Sequence, residues 1–377
     1  MKTDLLKKDI LKKAMRKDWT DENGARMGFN QIKKGPLTLR LANVWGFCYG
    51  VLYAIEAVDK TLEKYKDQKV YVLGDLIHNP HVNAELQKRG AIFIDPDQID
   101  RVEPDAVVVV PAFGTRKDIS RKIADKNWVV VDTTCPEVRT VEDEVRQFSR
   151  DGFTAVIHGK WEHQESMATS SYARDHLIIR NKPEADVVCR FIRGDESPET
   201  ILQRFANAIS GGFDPDLHLQ KIGMANQTTM LMNESLEVFE MFRLAILARD
   251  GHTDNFRAMK TICSATQDRQ DAVITLTKNE PIDLFIDVGG HRSSNTRNLA
   301  ITARQNSRAI VYHIERADQF TKDSITYLPV NQDMLVTTHN WLPKGPVTIG
   351  LTAGASTPHS ELEWVIQRLL GYYDNPA

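Results

Sequence analysis

The stretch DAVVVVPAFGTRKDISRKIADKNWVVVDTTCPEVRTVEDEVRQF, residues 105–148, decides the fold. Two short runs of valine flank the amphipathic segment TRKDISRKIADKN, and a second amphipathic segment follows Cys135. A strand with one wet face alternates apolar and polar residues. Runs of Val and Ile without that alternation are buried on both faces, as in parallel sheets covered by helices. The same rhythm extends outward in both directions. LTLRLANV leads into VLYAIEAVDKTLEKY, VYVLG into HVNAELQKRG, TAVIHG, LIIR and IGMAN into NESLEVFEMFRLAILARDG, and DLFIDVGG, AIVYHIE and VTIGLTAG alternate with helical stretches to the closing ELEWVIQRLLGYY. The fold class is α/β with mainly parallel sheets.

At 377 residues the chain exceeds one ordinary core, so two or three domains are expected. With 41% hydrophobic and 26% charged residues it has the balance of a soluble globular protein. A net charge of −3 argues against general binding to nucleic acid or an anionic membrane, and leaves room for a local anion pocket. No apolar run reaches the eighteen residues or so that span a bilayer. Four widely spread cysteines do not make a secreted disulfide scaffold, so a reducing, cytoplasmic setting is expected. The first 37 residues carry ten Lys/Arg against five Asp/Glu and no serine, unlike an organellar transit peptide. Leu5, Leu6, Ile10 and Leu11 predict a short amphipathic helix, part of a basic extension over 1–36 that lies on the body or reaches a partner.

Three cysteines, Cys48, Cys135 and Cys263, each stand where a strand-like run gives way to a helix-like one, in LRLANVWGFCYGV, VVVDTTCPEV and MKTICSATQDRQ. Their separations of 87 and 128 residues are far too wide for a local zinc knuckle. They fit instead one sulfur from each of three similar units, converging on a cluster. Three thiolates on four irons leave one iron open to a substrate oxygen. Packing is the alternative for any one cysteine, because free cysteine is commonly buried. The start of a helix favours the thiolate, which supports ligation. Cys189, in PEADVVCRFI, reads as core.

Neither the dinucleotide nor the P-loop glycine fingerprint is present. Hydroxyl- and amide-bearing helix starts stand in their place. Ser293, Ser294 and Asn295 in DVGGHRSSNTRNL exceed what a helix cap needs and suit phosphate oxygens, and Ser356 in TAGASTPHSELEW opens a second such start. Two cradles suit a diphosphate. His78 in IHNP and His163 in IHGKWEHQES lie at strand ends, where each is either a structural histidine or a cationic donor. Glu165, two residues past His163, is a candidate proton donor, since neighbouring negative charge raises a carboxyl pKa. Thr228 in ANQTTM is placed to orient that carboxyl or a water.

GFCYGV, IHNP, DTTCPEV, HGKWEHQES, NQTT, ICSATQDRQ, SSNT and TAGASTP occur in the order and approximate spacing of the 4-hydroxy-3-methylbut-2-enyl diphosphate reductase (LytB) family, which the chain resembles from about Leu37 to its C-terminal helix. The resemblance implies that Cys48, Cys135 and Cys263 hold one [4Fe–4S] cluster per subunit. It also implies that His78, His163, Ser293, Ser294, Asn295 and Ser356 bind substrate, that Thr228 is an active-site threonine, and that Glu165 is the proton donor. One departure stands out. Where bacterial members of the type most often described have S-A-H-G, this chain reads PAFGT, with Phe113 in the histidine position. That variant, HGKWEHQES and the basic extension are similar to the plant and cyanobacterial branch, for which a plastid stroma is the alternative compartment.

The resemblance further implies three pseudo-symmetric α/β lobes around the cluster, expected at 50–134, 135–262 and 263–377, with 37–49 completing the third. The implied reaction is reductive dehydroxylation of the allylic diphosphate alcohol to isopentenyl and dimethylallyl diphosphate, the last step of the non-mevalonate isoprenoid route. Electrons would come from an external ferredoxin or flavodoxin, because the chain has no flavin or nicotinamide fingerprint of its own. Two readings of other classes stay open on the residues alone: a zinc hydrolase with Cys and His ligands, and a non-catalytic phospholigand-binding protein in which the cysteines are core.

Overall fold

The computed structural model describes residues 30–279 and 281–373. The amphipathic helix expected around Leu5 to Leu11 lies outside the described residues. The chain divides into two compact units, one comprising 30–51, 78–82 and 264–373, the other 52–77 and 83–263.

The first unit holds a five-stranded sheet, in spatial order Asn30–Lys34, Leu37–Leu41, Val347–Ala353, Leu284–Val288 and Ile310–Ile314. Only the edge strand Asn30–Lys34 is antiparallel, folded back across the turn at Gly35 and Pro36. These residues, read from the sequence as the end of the extension, belong to the sheet because Ile32 packs against its core. The other four strands are parallel. Leu39, Ile349, Leu284 and Ile310 share one register row across them. Helix His359–Gly371 covers one face through Leu362, Val365, Ile366 and Leu369. Helices Ser264–Asn279 and Ser294–Asn306 cover the other through Val273, Leu276, Leu299 and Ala303. Both faces are therefore apolar, which explains the aliphatic runs without alternation.

The second unit holds two four-stranded parallel sheets. One runs Ala91–Ile94, Val70–Leu73, Val107–Val110, Val129–Asp132; the other runs His176–Ile179, Thr154–His158, Ile222–Asn226, Phe256–Ala258. Numbered along the chain, each has the spatial order 2-1-3-4. The first unit has the same order when Leu284–Val288, Ile310–Ile314 and Val347–Ala353 are strands one to three and Leu37–Leu41 is the fourth. One α/β pattern thus occurs three times, its third copy borrowing its last strand from the start of the chain. A two-stranded hairpin, Ser324–Tyr327 with Val336–His339, is inserted in that third copy.

Close approach between layers rests on small residues at defined points. In strand Ile222–Asn226, a Cβ at Gly223 would lie 2.4–2.6 Å from the Phe148 ring, which helix Pro136–Arg150 presents to the sheet. Gly223→Ala is accordingly expected to destabilise the protein by about 1–3 kcal/mol, the usual cost of overpacking a filled core. Adding Phe148→Leu should recover part of the loss. Denaturant midpoints of the single and double variants check this, and an undiminished midpoint in Gly223→Ala would contradict the packing.

Candidate active site

In a 2-1-3-4 parallel sheet the chain leaves strand one in one direction and reaches strand three on the other side. The crevice between their carboxyl ends is where ligands bind in open α/β sheets. The residues singled out from the sequence fall at these ends in all three sheets. His78, His163 and Ser293 each stand five residues past a first strand, which end at Leu73, His158 and Val288. Phe113, Thr228 and Ser356 stand two or three residues past the third strands, which end at Val110, Asn226 and Ala353. The three cysteines follow the fourth strands, Cys48 after Leu41, Cys135 after Asp132 and Cys263 after Ala258.

In the first unit, four of the predicted residues come together. Ser293 caps helix Ser294–Asn306, its hydroxyl accepting from Thr296 N at 3.3 Å. The Ser356 hydroxyl lies 3.4 Å from Ser293 Oγ and 3.3 Å from the His78 carbonyl oxygen. Asn295 Oδ1 accepts from Ala355 N at 2.8 Å, and Cys48 N donates to Ala355 O at 3.1 Å, so the Cys48 backbone is anchored to the same loop. Two glycines permit this closeness: a Cβ at Gly290 would meet His78 O at 2.5 Å, and one at Gly354 would meet Thr296 Oγ1 at 2.0 Å. All four side chains are buried, as is Ser294. Ser294 Oγ and Asn295 Nδ2 have no hydrogen-bond partner among the described residues. Such orphaned polar groups cost about 1–3 kcal/mol each, a cost that an anion accepting from them removes.

In the second unit, Glu165, Thr228 and His163 come together. Glu165 is 1% exposed and lies in the first turn of helix Gln164–Ser170, which His163 caps by accepting from Glu165 N at Nδ1, 3.2 Å away. Thr228 N donates to Glu165 Oε1 at 2.6 Å and its hydroxyl to Oε2 at 3.0 Å. Burial pushes the Glu165 carboxyl up to about 7; the two Thr228 hydrogen bonds pull in the opposite direction and are outweighed. The result is an acid that still holds its proton near neutrality. Because a backbone N–H donates to His163 Nδ1, the ring proton of neutral His163 sits on Nε2. Phe113 packs edge-on to that ring, centroids 5.8 Å apart, an aromatic contact where the other two third strands end in hydroxyls.

Cys135 caps helix Pro136–Arg150, with proline in its first turn, and its N–H is fixed by Ala112 O at 3.0 Å. Cys263 N donates to Thr228 O at 3.1 Å, tying this cysteine to the residue that holds Glu165. All four cysteines are thiols, and Cys48, Cys135 and Cys263 are partly accessible. Cys189 is buried, and burial pushes its thiol up to about 12, so it has no thiolate to offer a metal. Among the described residues no set of three His, Cys, Asp or Glu side chains is gathered to hold a single metal ion. A four-iron cluster asks for something different, one thiolate per iron, with the ligands separated by the width of the cluster. Three accessible thiols in one repeated position are a donor set of that chemistry.

Four residues in or against these loops carry structural weight that sequence reading passed over. Asn79 caps helix Pro80–Lys88 through Oδ1, accepting from His81 N and Val82 N, and its Nδ2 donates to Ser356 O at 2.9 Å. Arg269 donates to Gly46 O through Nε and Nη2, fixing the loop that leads to Cys48. Thr261 pairs with the Asn226 backbone at 2.6 and 2.8 Å, two residues before Cys263. Gln227 Oε1 accepts from Lys160 N at 3.1 Å, joining the first- and third-strand ends of its sheet. Asn before Pro in IHNP was a legible capping signal; the other three have long-range partners that no local pattern discloses.

Residues 39–370 match the LytB protein family. A protein of Synechococcus sp. (strain RCC307), named 4-hydroxy-3-methylbut-2-enyl diphosphate reductase, is 40% identical over 348 residues, 90% of this chain and 85% of that protein. One of the same name from Gloeobacter violaceus (strain ATCC 29082 / PCC 7421) is 39% identical over 350 residues, 90% of this chain and 84% of that protein. Among solved structures, the E-1-hydroxy-2-methyl-but-2-enyl-4-diphosphate reductase of Plasmodium falciparum shares the fold with a TM-score of 0.67 at 24% identity, covering 92% of this chain and 89% of its own. A structure of (E)-4-hydroxy-3-methyl-but-2-enyl diphosphate reductase, described as the terminal enzyme of the non-mevalonate pathway, aligns with a TM-score of 0.54 at 26% identity over 88% of this chain and 98% of its own. With a family match across nearly all of its length and relatives at this identity, the chain belongs to the LytB family.

Proposed function

We propose that the protein is an iron–sulfur reductase that removes the hydroxyl of 4-hydroxy-3-methylbut-2-enyl diphosphate, giving isopentenyl diphosphate and dimethylallyl diphosphate. The observation that carries the reading is the buried Glu165 carboxyl, held by both donors of Thr228 at a strand-end crevice while a cysteine follows the fourth strand of every sheet. Cys48, Cys135 and Cys263 hold a [4Fe–4S] cluster, with the three sheets as three lobes that contribute one thiolate each. When bound, the cluster supplies single electrons and a Lewis-acidic iron for the substrate hydroxyl.

The chain's own groups do the rest. Ser293, Ser294, Asn295 and Ser356 receive the diphosphate at the start of helix Ser294–Asn306, where hydroxyls, the amide and unpaired N–H groups point at anionic oxygen. His78 and His163 add ring nitrogens to that recognition. Glu165 gives its proton to the departing hydroxyl, which leaves as water; burial favours the neutral acid and the Thr228 donors then stabilise the carboxylate left behind. With Phe113 at one third-strand end, the pocket has one cationic donor fewer than a histidine there would give. Electrons arrive from a small external carrier, a ferredoxin or flavodoxin.

Glu165→Gln should assemble the cluster normally and lose about 10²–10⁴-fold in kcat, the usual contribution of a general acid. Near-normal turnover with an intact absorption spectrum would remove Glu165 from this role. The sign of the pH dependence follows from its raised pKa: the acid is loaded below about 7, so kcat falls as pH rises through that range. Thr228→Val deletes a hydrogen bond that holds the pKa down, so the alkaline fall should move to higher pH while kcat drops, measured as kcat against pH. Anaerobic iron and sulfide analysis tests the cofactor. Serine at Cys48, Cys135 or Cys263 should abolish the four-iron spectrum and serine at Cys189 should not, whereas zinc without sulfide in the unaltered protein would replace this reading with a hydrolase.

A further inference from the structure

Removing an allylic hydroxyl by reduction consumes two electrons and two protons: ROH + 2e⁻ + 2H⁺ gives RH and H₂O. Glu165 accounts for the proton that leaves in water. The proton of the new C–H bond needs its own source, and the first unit contains a second buried acid beside the serine cradle.

Glu361 lies in the first turn of helix His359–Gly371, five residues past Ser356, and is 1% exposed. Neither of its oxygens has a hydrogen-bond partner among the described residues; Oε1 is 3.9 Å from His81 Nε2. Arg316 Nη1 is 3.2 Å from His81 Nδ1. A guanidinium can only donate, so Nδ1 is the acceptor and the ring proton sits on Nε2, the nitrogen that faces Glu361. Glu361, His81 and Arg316 line a cavity of about 250 Å³ together with Asn79 and Gly290. Asn79 bonds the Ser356 carbonyl and Gly290 O accepts from Ser293 N at 2.8 Å, so two residues of the cavity lining also bond the backbone of the cradle serines.

A second cavity, of about 450 Å³, also has Glu361 and Arg316 in its wall, and its remaining lining includes the exposed Trp364, Gln367 and Arg368. Glu361 and Arg316 therefore line both cavities. Five polar side chains, Asn79, His81, Glu315, Arg316 and Glu361, line the first cavity, and water held between them can bridge the 3.9 Å gap.

We propose that Glu361 and His81 form a proton relay that carries the second proton of the reduction from solvent to the diphosphate cradle. The proposal rests on the reductase reading given above. In each turnover the Glu361 O–H bond breaks and the proton passes along cavity water to a diphosphate oxygen held at Ser293 and Ser356; that oxygen releases it to the twice-reduced allylic carbon as the C–H bond forms, and the Glu361 carboxylate is reprotonated from solvent. The relay itself is neither oxidised nor reduced; the electrons are those of the external carrier.

Glu361 is faced by His81 from helix Pro80–Lys88, by Arg316 and Asp318 from the turn at Ala317–Gln319, and by Glu315 from the end of strand Ile310–Ile314. Burial is the largest influence and pushes its carboxyl up to about 7; Arg316 lowers it and Asp318 raises it. The acid is loaded below that pH and empty above it. Since Glu165 titrates in the same range, log kcat of the cluster-loaded protein should fall above pH 7 with a slope approaching two protons. The substrate is 4-hydroxy-3-methylbut-2-enyl diphosphate and the reductant reduced methyl viologen, whose potential does not vary with pH. Glu361→Gln should lower kcat about tenfold at pH 6, leave KM within about twofold and reduce the slope to one proton. His81→Gln, at a partly exposed helix start, should lower kcat in the same direction. Wild-type kcat and a two-proton slope in Glu361→Gln would overturn the relay, as would a loss of rate that leaves the slope at two. A wild-type protein that is loaded with cluster yet inert would overturn the reductase reading and the relay with it.

Discussion

Strands buried on both faces leave chemistry only one place to happen. In each of the three sheets most strand side chains are committed to apolar layers, and the polar residues singled out above stand at the carboxyl ends, where the chain turns into helices. The order 2-1-3-4 then opens a crevice between the first and third strands. The same positions past those strands carry His78, His163 and Ser293 in one series and Phe113, Thr228 and Ser356 in the other. A repeated topology has been given different side chains: hydroxyls and an amide in one copy, and an acid with its threonine in another.

The two units solve opposite electrostatic problems. Around Ser294 and Asn295, donors are buried without acceptors, an arrangement that is costly until an anion arrives. Around Glu165, an acceptor is buried with two donors from Thr228, yet desolvation still dominates and keeps the proton on. Had Thr228 been joined by a nearby guanidinium, the carboxyl would ionise at neutral pH and have no proton to give. Glu361 repeats that logic with weaker support: Arg316 lowers its pKa and His81 Nε2 lies 3.9 Å away, and burial still dominates. The His81 tautomer fixed by Arg316 is therefore as much a part of that arrangement as the acid itself.

Much of this was legible because it is local. Aliphatic runs without alternation gave parallel buried strands, and Cys48, Cys135 and Cys263 were readable as one position in a repeated unit because each follows such a run. Ser293 was legible both as a cap and as a phosphate donor, and it serves as a cap here. Strand Asn30–Lys34, with its basic NQIKK, was read into the extension because Lys33 and Lys34 mask a single partly buried contact at Ile32. Helix Met232–Asp250, legible as a long helical stretch, buries Val238, Phe242 and Ala245. Glu361 and His81 carried no signal at all, since a glutamate in a helix's first turn and a histidine after proline are ordinary at a surface.

By itself the sequence determined the fold class and the family and singled out three cysteines as candidate sulfur donors, because periodicity, motif order and cysteine placement are properties of neighbouring residues. Tertiary structure alone decided which polar groups lose water. Burial, not residue type, sets Glu165 and Glu361 apart from the exposed glutamates of this chain, and Cys189 from the accessible thiols. Desolvation depends on everything packed around a group, and that sum is assembled only when distant segments such as Glu165 and Thr228, or His81 and Glu361, are brought side by side.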